Sequence, residues 1–267
     1  MSFEWIGTFG ALLARDLWVL RRNGGMTIVR TIANPLLFVF VFAYVFPKIG
    51  QGFRGGTAGE SFSTVLLPGL VAVSINFQGI LAVTQPLIRE FSVSKEIEDR
   101  VLAPIPVWLI GFEKIVAGAF QAVCAAAVVF PIVYVVHASG EAPSISVHDW
   151  SLFAVALVFS AFLGASVGLL VGTLLDPRAS QLLFAVIVVP ITFLGCVYYP
   201  WATLAPIRWL QLLVLANPLV YMSESLRTTL TPQLPHMAVW AIVLALVGGT
   251  FVLATVSVRL FVRRVLS

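Results

Sequence analysis

The sequence predicts an all-α membrane protein of six transmembrane helices. An amphipathic N-terminal helix lies on the bilayer, and re-entrant half-helices precede the last span. Three observations lead there. Of 267 residues, 60% are hydrophobic and only 10% charged, whereas soluble domains carry charge on about a quarter of their residues. Apolar stretches able to cross about 30 Å of hydrocarbon recur along the chain. The basic residues, finally, sort to one side of the bilayer once six spans are drawn. No polar stretch is long enough to fold alone, so the chain divides into residues 1–25, the interfacial helix, and 26–267, one membrane domain. The net charge of +4 suits loops beside anionic lipid rather than a nucleic-acid surface.

Residues 3–22 have helical periodicity. Ile6, Phe9, Leu13, Leu17 and Leu20 share one face, with Glu4, Thr8, Arg15 and Arg22 opposite, which places this helix along the membrane rather than through it. Asn23-Gly24-Gly25 ends it. Glu4, Arg15 and Asp16 before any long apolar core argue against a cleavable signal peptide. The spans follow at about Met26–Phe46, Phe62–Gln85, Ile115–Val136, Trp150–Leu175, Gln181–Tyr199 and Met237–Phe261. In the fourth, Ser160, Gly164, Gly168 and Gly172 recur at helical spacing and permit close approach of another helix, within this chain or in another subunit.

Between the second and third spans lies the charged segment Pro86–Lys114, with nine of the chain's twenty-eight charged side chains. Within it Ser94 can cap a short helix. Glu96, Glu98 and Asp99 fall in the first turns, where the helix dipole favours acids. Ile97 and Val101, four apart, form a narrow apolar stripe beside Lys95, Arg100 and Leu102, and Pro104 and Pro106 stop the helix. The segment reads either as a solvated connection or as a lever that touches a soluble partner.

Residues 200–235 hold two short apolar runs, Leu204–Leu215 and Leu219–Leu230, split by Asn217-Pro218. Each is too short to span. Reading them as one broken span would put Arg259, Arg263 and Arg264 outside. With six spans and both termini inside, twelve basic residues lie inside and four (Lys48, Arg54, Arg208, Arg227) outside. The five tyrosines, Tyr44, Tyr134, Tyr198, Tyr199 and Tyr221, then fall toward the outer face. The segment is therefore expected to form two half-helices dipping into the outer leaflet, shielded by protein.

Much familiar chemistry is missing. None of the three lysines precedes Ser or Thr, so the chain has no Walker A loop. His137, His148 and His236 lack metal-ligand spacing, and Cys124 and Cys196 sit apart in apolar runs. The intramembrane segments hold neutral polar residues, among them Asn34, Asn76, Gln78, Gln121 and Thr192, rather than the ionisable group an ion-coupled carrier keeps at depth. Of these, Asn34, Asn76, Gln78 and Thr192 are the candidate polar residues of a transport path. A membrane-embedded enzyme would need polar groups clustered at one depth. A non-transporting assembly factor fits the composition as well as a transporter does.

Three stretches carry a family resemblance: LLPGL at Leu66–Leu70, REFSVSKEIEDRVLAPIPVWLIGFEK at Arg89–Lys114, and NPLVYMSESLR at Asn217–Arg227. With the order of spans, they resemble the ABC-2 permeases of bacterial ABC exporters, a type V exporter-like fold. The nearest likeness is to drug-resistance and nodulation-type exporters. The chain departs from that pattern after Arg89-Glu90, where Phe91 stands in place of the usual glycine. The resemblance implies a multi-pass permease of the inner membrane with no active site of its own. Two such chains pair, identical or related, and two separate ATPase subunits bind ATP and Mg²⁺ below. The helix around Ser94–Pro104 would sit in a cleft of an ATPase subunit. The first, second and fifth spans would line the path. Tyr198, Tyr199, Asn217, Pro218, Tyr221, Glu224 and Arg227 would close it outside. A path without buried charge gives a small inorganic ion nothing to replace its hydration shell, and with the tyrosines near the outer face and the tryptophans mostly at the two interfaces, a hydrophobic or lipid-linked substrate suits it better than a long polysaccharide.

Overall fold

The computed structural model describes residues 2–22, 33, 36–37, 39–49, 62–91, 105–136, 146–175 and 188–266. Asn34, Ser94 through Pro104 and the turn Asp176-Pro177-Arg178 lie outside the described residues. Among the described residues the regular structure is helical throughout. Helix α1 is Ser2–Arg22. Phe40–Val45 forms a π-helical turn that runs into the α-turn Phe46–Lys48. The long helices are α2 (Phe62–Arg89), α3 (Val107–Val135) and α4 (Trp150–Leu174). Three shorter ones follow: α5 (Val189–Phe193), α6 (Arg208–Leu213) and α7 (Pro218–Leu230). Helix α8 (Val239–Leu266) completes the fold. Four of these, α2, α3, α4 and α8, are long and apolar enough to cross a membrane.

Helix α2 is the centre. It is buried along most of its length, between α3 on one side and α4 on the other. The α2–α4 contact is made by glycines meshing at fixed register. A Cβ on Gly164 would stand 3.4 Å from the Asn76 Cα, one on Gly168 2.7 Å from the Ile80 carbonyl oxygen, and one on Gly172 3.1 Å from the Thr84 Cα. Each partner is four residues beyond the last on both helices, so α2 and α4 run parallel with one turn opposite one turn. The Thr84 hydroxyl donates to the Gly168 carbonyl at 2.8 Å and fastens the seam. The small-residue stripe thus packs within the chain.

Helix α3 runs antiparallel to α2. Lys114 meets Glu90, and Gly118 lies on Val83. Helix α8 runs parallel to α4, since Thr250 donates to the Phe159 carbonyl at 3.3 Å and Arg264 donates to that of Thr173. Aromatic pairs, Phe159 with Phe251 and Phe130 edge-on with Phe153, add to the contacts of α4 with α8 and α3. Trp240, Leu244, Phe251 and Val252 of α8 stay exposed, as apolar side chains do when hydrocarbon replaces water around a bundle. Helix α1 lies against α3, with Phe9 and Phe112 stacked at 6.3 Å. Thr8, expected on its polar face, is partly shielded with Phe9, Leu12 and Leu13. The shielded side is therefore rotated from the face drawn by periodicity alone.

Several boundaries differ from the sequence reading. The second helix continues past Gln85 and Pro86 to Arg89, followed by a π-turn at Glu90–Phe91. The third begins at Val107 rather than Ile115, with Pro106 in an extended conformation (φ −63°, ψ 134°) at its N-cap. Proline is disfavoured within a helix but suits its start. Glu113 and Lys114 are consequently buried helix residues rather than part of a solvated loop. The fifth helix ends at Phe193 instead of Tyr199, because Gly195 and Cys196 turn the chain. Cys196 holds φ 51°, in the left-handed region. The expected run Leu204–Leu215 is broken at Ala205–Ile207, leaving a 3₁₀ turn at Trp201–Leu204 and α6.

Candidate functional site

Two polar clusters stand at opposite ends of the bundle. The end bearing α1, Lys114 and Arg264 is the basic end; the other is the far end.

At the far end the organising element is α7. Asn217 caps it: its side-chain oxygen accepts from Leu219 N at 3.0 Å while its Nδ2 donates to the Ile191 carbonyl at 2.7 Å. Pro218 occupies the first helical position, where its missing N–H costs nothing. One turn on, the Ser223 hydroxyl donates to the Gly195 carbonyl at 2.8 Å. Glu224 and Arg227, three residues apart, form an ion pair with both side chains fully buried. The pair is wired into three segments. Glu224 Oε1 accepts from Trp201 N and Oε2 from Met237 N, both at 3.0 Å. Arg227 Nη2 donates to the Cys196 carbonyl at 3.2 Å. One carboxylate therefore ties α7 to the chain entering Trp201–Leu204 and to the chain entering α8. Its partner holds the left-handed turn at Cys196. The pair does not lie at an exposed interface.

The other far-end candidates join this cluster unequally. Tyr221 donates its hydroxyl to the Leu215 carbonyl at 2.8 Å and braces the turn before α7. Tyr198 packs its ring 4.4 Å from Phe42, tying the strand of chain before α6 to the segment around the π-turn. Tyr199 packs against the buried cluster of Cys196, Leu204, Val214 and Val220. The far end is also closed on the α2 side: a Cβ on Gly69 would strike the Val197 carbonyl. Asp149 caps α4 there, accepting from Ser151 N at 2.9 Å and Leu152 N at 3.0 Å.

At the basic end, Lys114 of α3 and Glu90, one residue past α2, are paired at 2.8 Å and almost fully buried. Phe91 follows. Its ring carries the Arg264 guanidinium 4.5 Å above the centroid and lies 6.2 Å from the buried ring of Phe261. Pro106 and the buried Ile105 bring the chain back into α3. The charged segment thus leaves and re-enters the bundle through a compact frame. Ser94, Lys95, Glu96, Ile97, Glu98, Asp99, Arg100, Val101, Leu102 and Pro104 lie outside the described residues.

The path candidates are dispersed. Asn76 is fully buried at the α2–α4 seam, and its amide makes no hydrogen bond among the described residues. Gln78 is half-buried and donates to Gln121 at 3.5 Å, the outer limit of a hydrogen bond. The Thr192 hydroxyl donates to the Val188 carbonyl at 2.8 Å. Sequence reasoning missed the Glu90–Lys114 pair, the Arg264 contacts and the role of Cys196. For the first, a signal existed: an acid at the end of one apolar run and a lysine at the start of the next. Among the described residues no group of His, Cys, Asp and Glu could hold a metal ion.

The chain is similar to the inner membrane transport permease YadH of Escherichia coli K12, 26% identical over 215 residues that cover 80% of each protein. The YadH permease of Shigella flexneri matches to the same extent. No solved structure matches the chain. The family description ABC-2 type transporter matches residues 8–231, from α1 through the whole of α7. With its parallel apolar helices, its framed charged segment and its Asn-Pro-capped helix, this chain belongs to the ABC-2 type transporter family and is a permease of that type.

Proposed function

We propose that this permease is the membrane half of an ATP-driven exporter of the bacterial inner membrane. It moves a hydrophobic or lipid-linked substrate outward. Two copies, or one copy with a related chain, pair in the membrane. Two separate ATPase subunits dock on the basic end and bind ATP and Mg²⁺. The observation that carries the reading is the Glu90–Lys114 pair. A buried ion pair need not add stability, since desolvation offsets its attraction, but it can fix conformation, and this one clamps the exit and re-entry of the 92–104 segment to each other. A lever needs such a fulcrum; a passive solvated connection does not. The helix expected around Ser94–Pro104 then rests in an ATPase cleft, with Ile97 and Val101 inward and the charges around them. Helix α1 braces the same junction through Phe9 and Phe112.

The six-span topology is supported by helix direction. Helices α2, α4 and α8 run the same way, so the chain crosses between each successive pair: once as α3 and once between α4 and α8. Val39, Phe42 and Phe46 pack on the core, Phe42 beside Tyr198 at the far end, whereas α1 lies at the basic end. That is consistent with a first crossing before Phe46. The basic end is assigned to the cytosol by the twelve-to-four distribution of basic residues. Helices α6 and α7 then form the re-entrant pair and close the path outside. Of the two path candidates on α2, Asn76 is buried while Gln78 is half-buried and can meet a substrate in this conformation.

The test is a double substitution, Ile97→Asp with Val101→Asp. Burying unpaired carboxylates in a protein contact costs several kcal/mol, on the order of 2–5. The ATPase subunit is expected to be lost on co-purification while membrane insertion is unchanged. Retained ATPase and retained transport would remove the lever reading.

A further inference from the structure

Arg264 lies in the last turn of α8. Its Nη1 donates to the carbonyl of Thr173 and, at 3.3 Å, to that of Leu175, the last carbonyls of α4. A helix end leaves such carbonyls without partners, and a cation there is favoured by the dipole. That contact alone describes a helix cap. A cap, however, has no need of Phe91. The same guanidinium sits 4.5 Å over the ring of Phe91, which directly follows Glu90 in the chain. The ring is backed by Phe261, itself fully buried and pressed on Gly111 of α3, where an added Cβ would stand 3.0 Å from the Phe261 ring. Movement of Phe91 toward Phe261 therefore presses on a ring already seated against the backbone of α3.

We propose that Arg264, held between the terminal carbonyls of α4 and the ring of Phe91, transmits displacement of the 92–104 segment to α4 and α8. The proposal rests on the reading of that segment as the contact with the ATPase. Two linkages then leave the segment. Glu90–Lys114 passes its motion to α3, while Phe91–Arg264 passes it to the two helices that run parallel on the other side of the bundle. Attraction between a guanidinium and an aromatic face falls away once the cation leaves the ring. A shift of Phe91 therefore either carries Arg264 and the end of α4 with it or breaks the contact. Arg264 is a positioning residue, not a ligand of substrate or nucleotide.

The experiment uses the permease with its ATPase subunit in nanodiscs. A cysteine replaces Thr203, which is exposed at the far end, in a Cys124→Ala background with the buried Cys196 left in place. The rate of labelling by a membrane-impermeant maleimide is measured with and without ATP and vanadate. Arg264→Gln and Phe91→Leu are expected to shrink the nucleotide-dependent change by about fivefold, with ATPase binding and basal hydrolysis unaltered. Phe91→Tyr keeps the ring face and is expected to keep the response, whereas Phe91→Leu keeps an apolar side chain without the ring face, so its lost response is what a merely space-filling role does not predict. If Arg264→Gln fails to assemble, Phe91→Leu carries the test. A full response in Phe91→Leu, or a lost one in Phe91→Tyr, overturns the proposal. A parent complex that binds no ATPase or shows no nucleotide response overturns the exporter reading and the joint with it.

Discussion

A carboxylate shut away from water is stable only when its lone pairs are used, and Glu224 meets that demand with two backbone N–H groups and a guanidinium. Replacing it with Ala strands Arg227 as a buried charge, which typically costs about 3–5 kcal/mol. We expect a large fall in the melting temperature of the detergent-solubilised permease, and a comparable fall for Arg227→Ala. The double swap, Glu224→Arg with Arg227→Glu, tests the geometry further. Arginine cannot accept from Trp201 N or Met237 N, so the swap should not restore stability. Full recovery would reduce the cluster to a simple ion pair. At the opposite extreme of exposure, the Ser151 hydroxyl and the Leu152 and Ser151 amides hold the Asp149 carboxyl below its ordinary value. Its capping contribution is therefore present above about pH 3.9, the ordinary aspartate value, and is lost as pH falls through the lowered value in the folded state. Asparagine caps without titrating. In melting curves against pH, the advantage of the parent over Asp149→Asn should shrink below about pH 4; an advantage constant with pH would remove the charge from the account. The sequence made Glu224 and Arg227 legible as neighbours because three residues on a helix are one turn. It could not show that Cys196, Trp201 and Met237 complete the cluster, since those contacts join separate segments and carry no periodic signal.

At the level of elements, the α2–α4 seam tolerates little change. On Gly168 an added side chain would meet the Ile80 carbonyl, and backbone cannot rotate away. Gly168→Val should part the helices, break the Thr84 bond and destabilise the protein by about 1–3 kcal/mol. Gly248→Ala in α8, with open space around it, is the control and should be neutral or slightly stabilising. Equal melting temperatures for the two variants would show that the seam bears no load. The four-residue spacing of Ser160, Gly164, Gly168 and Gly172 made this surface visible in the sequence, but its partner was not. Asn76, Ile80 and Thr84 differ in chemistry and share only their register. The helices themselves were legible wherever apolar runs were long. Their ends were not, for a plain reason: Glu113 and Lys114 look like solvent residues until Glu90 is seen beside Lys114. Residues 86–91 and 105–114, which composition assigns to the charged segment, accordingly belong to the bundle.

For the molecule as a whole, the parallel run of α2, α4 and α8 bears on topology, and cysteine scanning in intact cells tests it. A membrane-impermeant reagent should label a cysteine placed at Gly55 or Glu141 and leave one at Lys95 unlabelled. Strong labelling at Lys95 with none at Gly55 would invert the orientation argued from the basic residues. That orientation rests on the sequence alone, because lysine and arginine are counted without knowing a single contact. The direction of one helix against another was not legible there, because apolar runs read alike in either sense. The meshing of α2 with α4 has one more consequence. Glycines and their partners interlock every four residues, and Thr250 and Arg264 fix α8 to α4 at a second constant offset. Teeth cut at that pitch allow rocking about the seam, but a slide would have to jump a full turn of about 5.4 Å. The three helices hold one register and must tilt together, so on the exporter reading a push arriving at the basic end would rock them as one block rather than drive one past another.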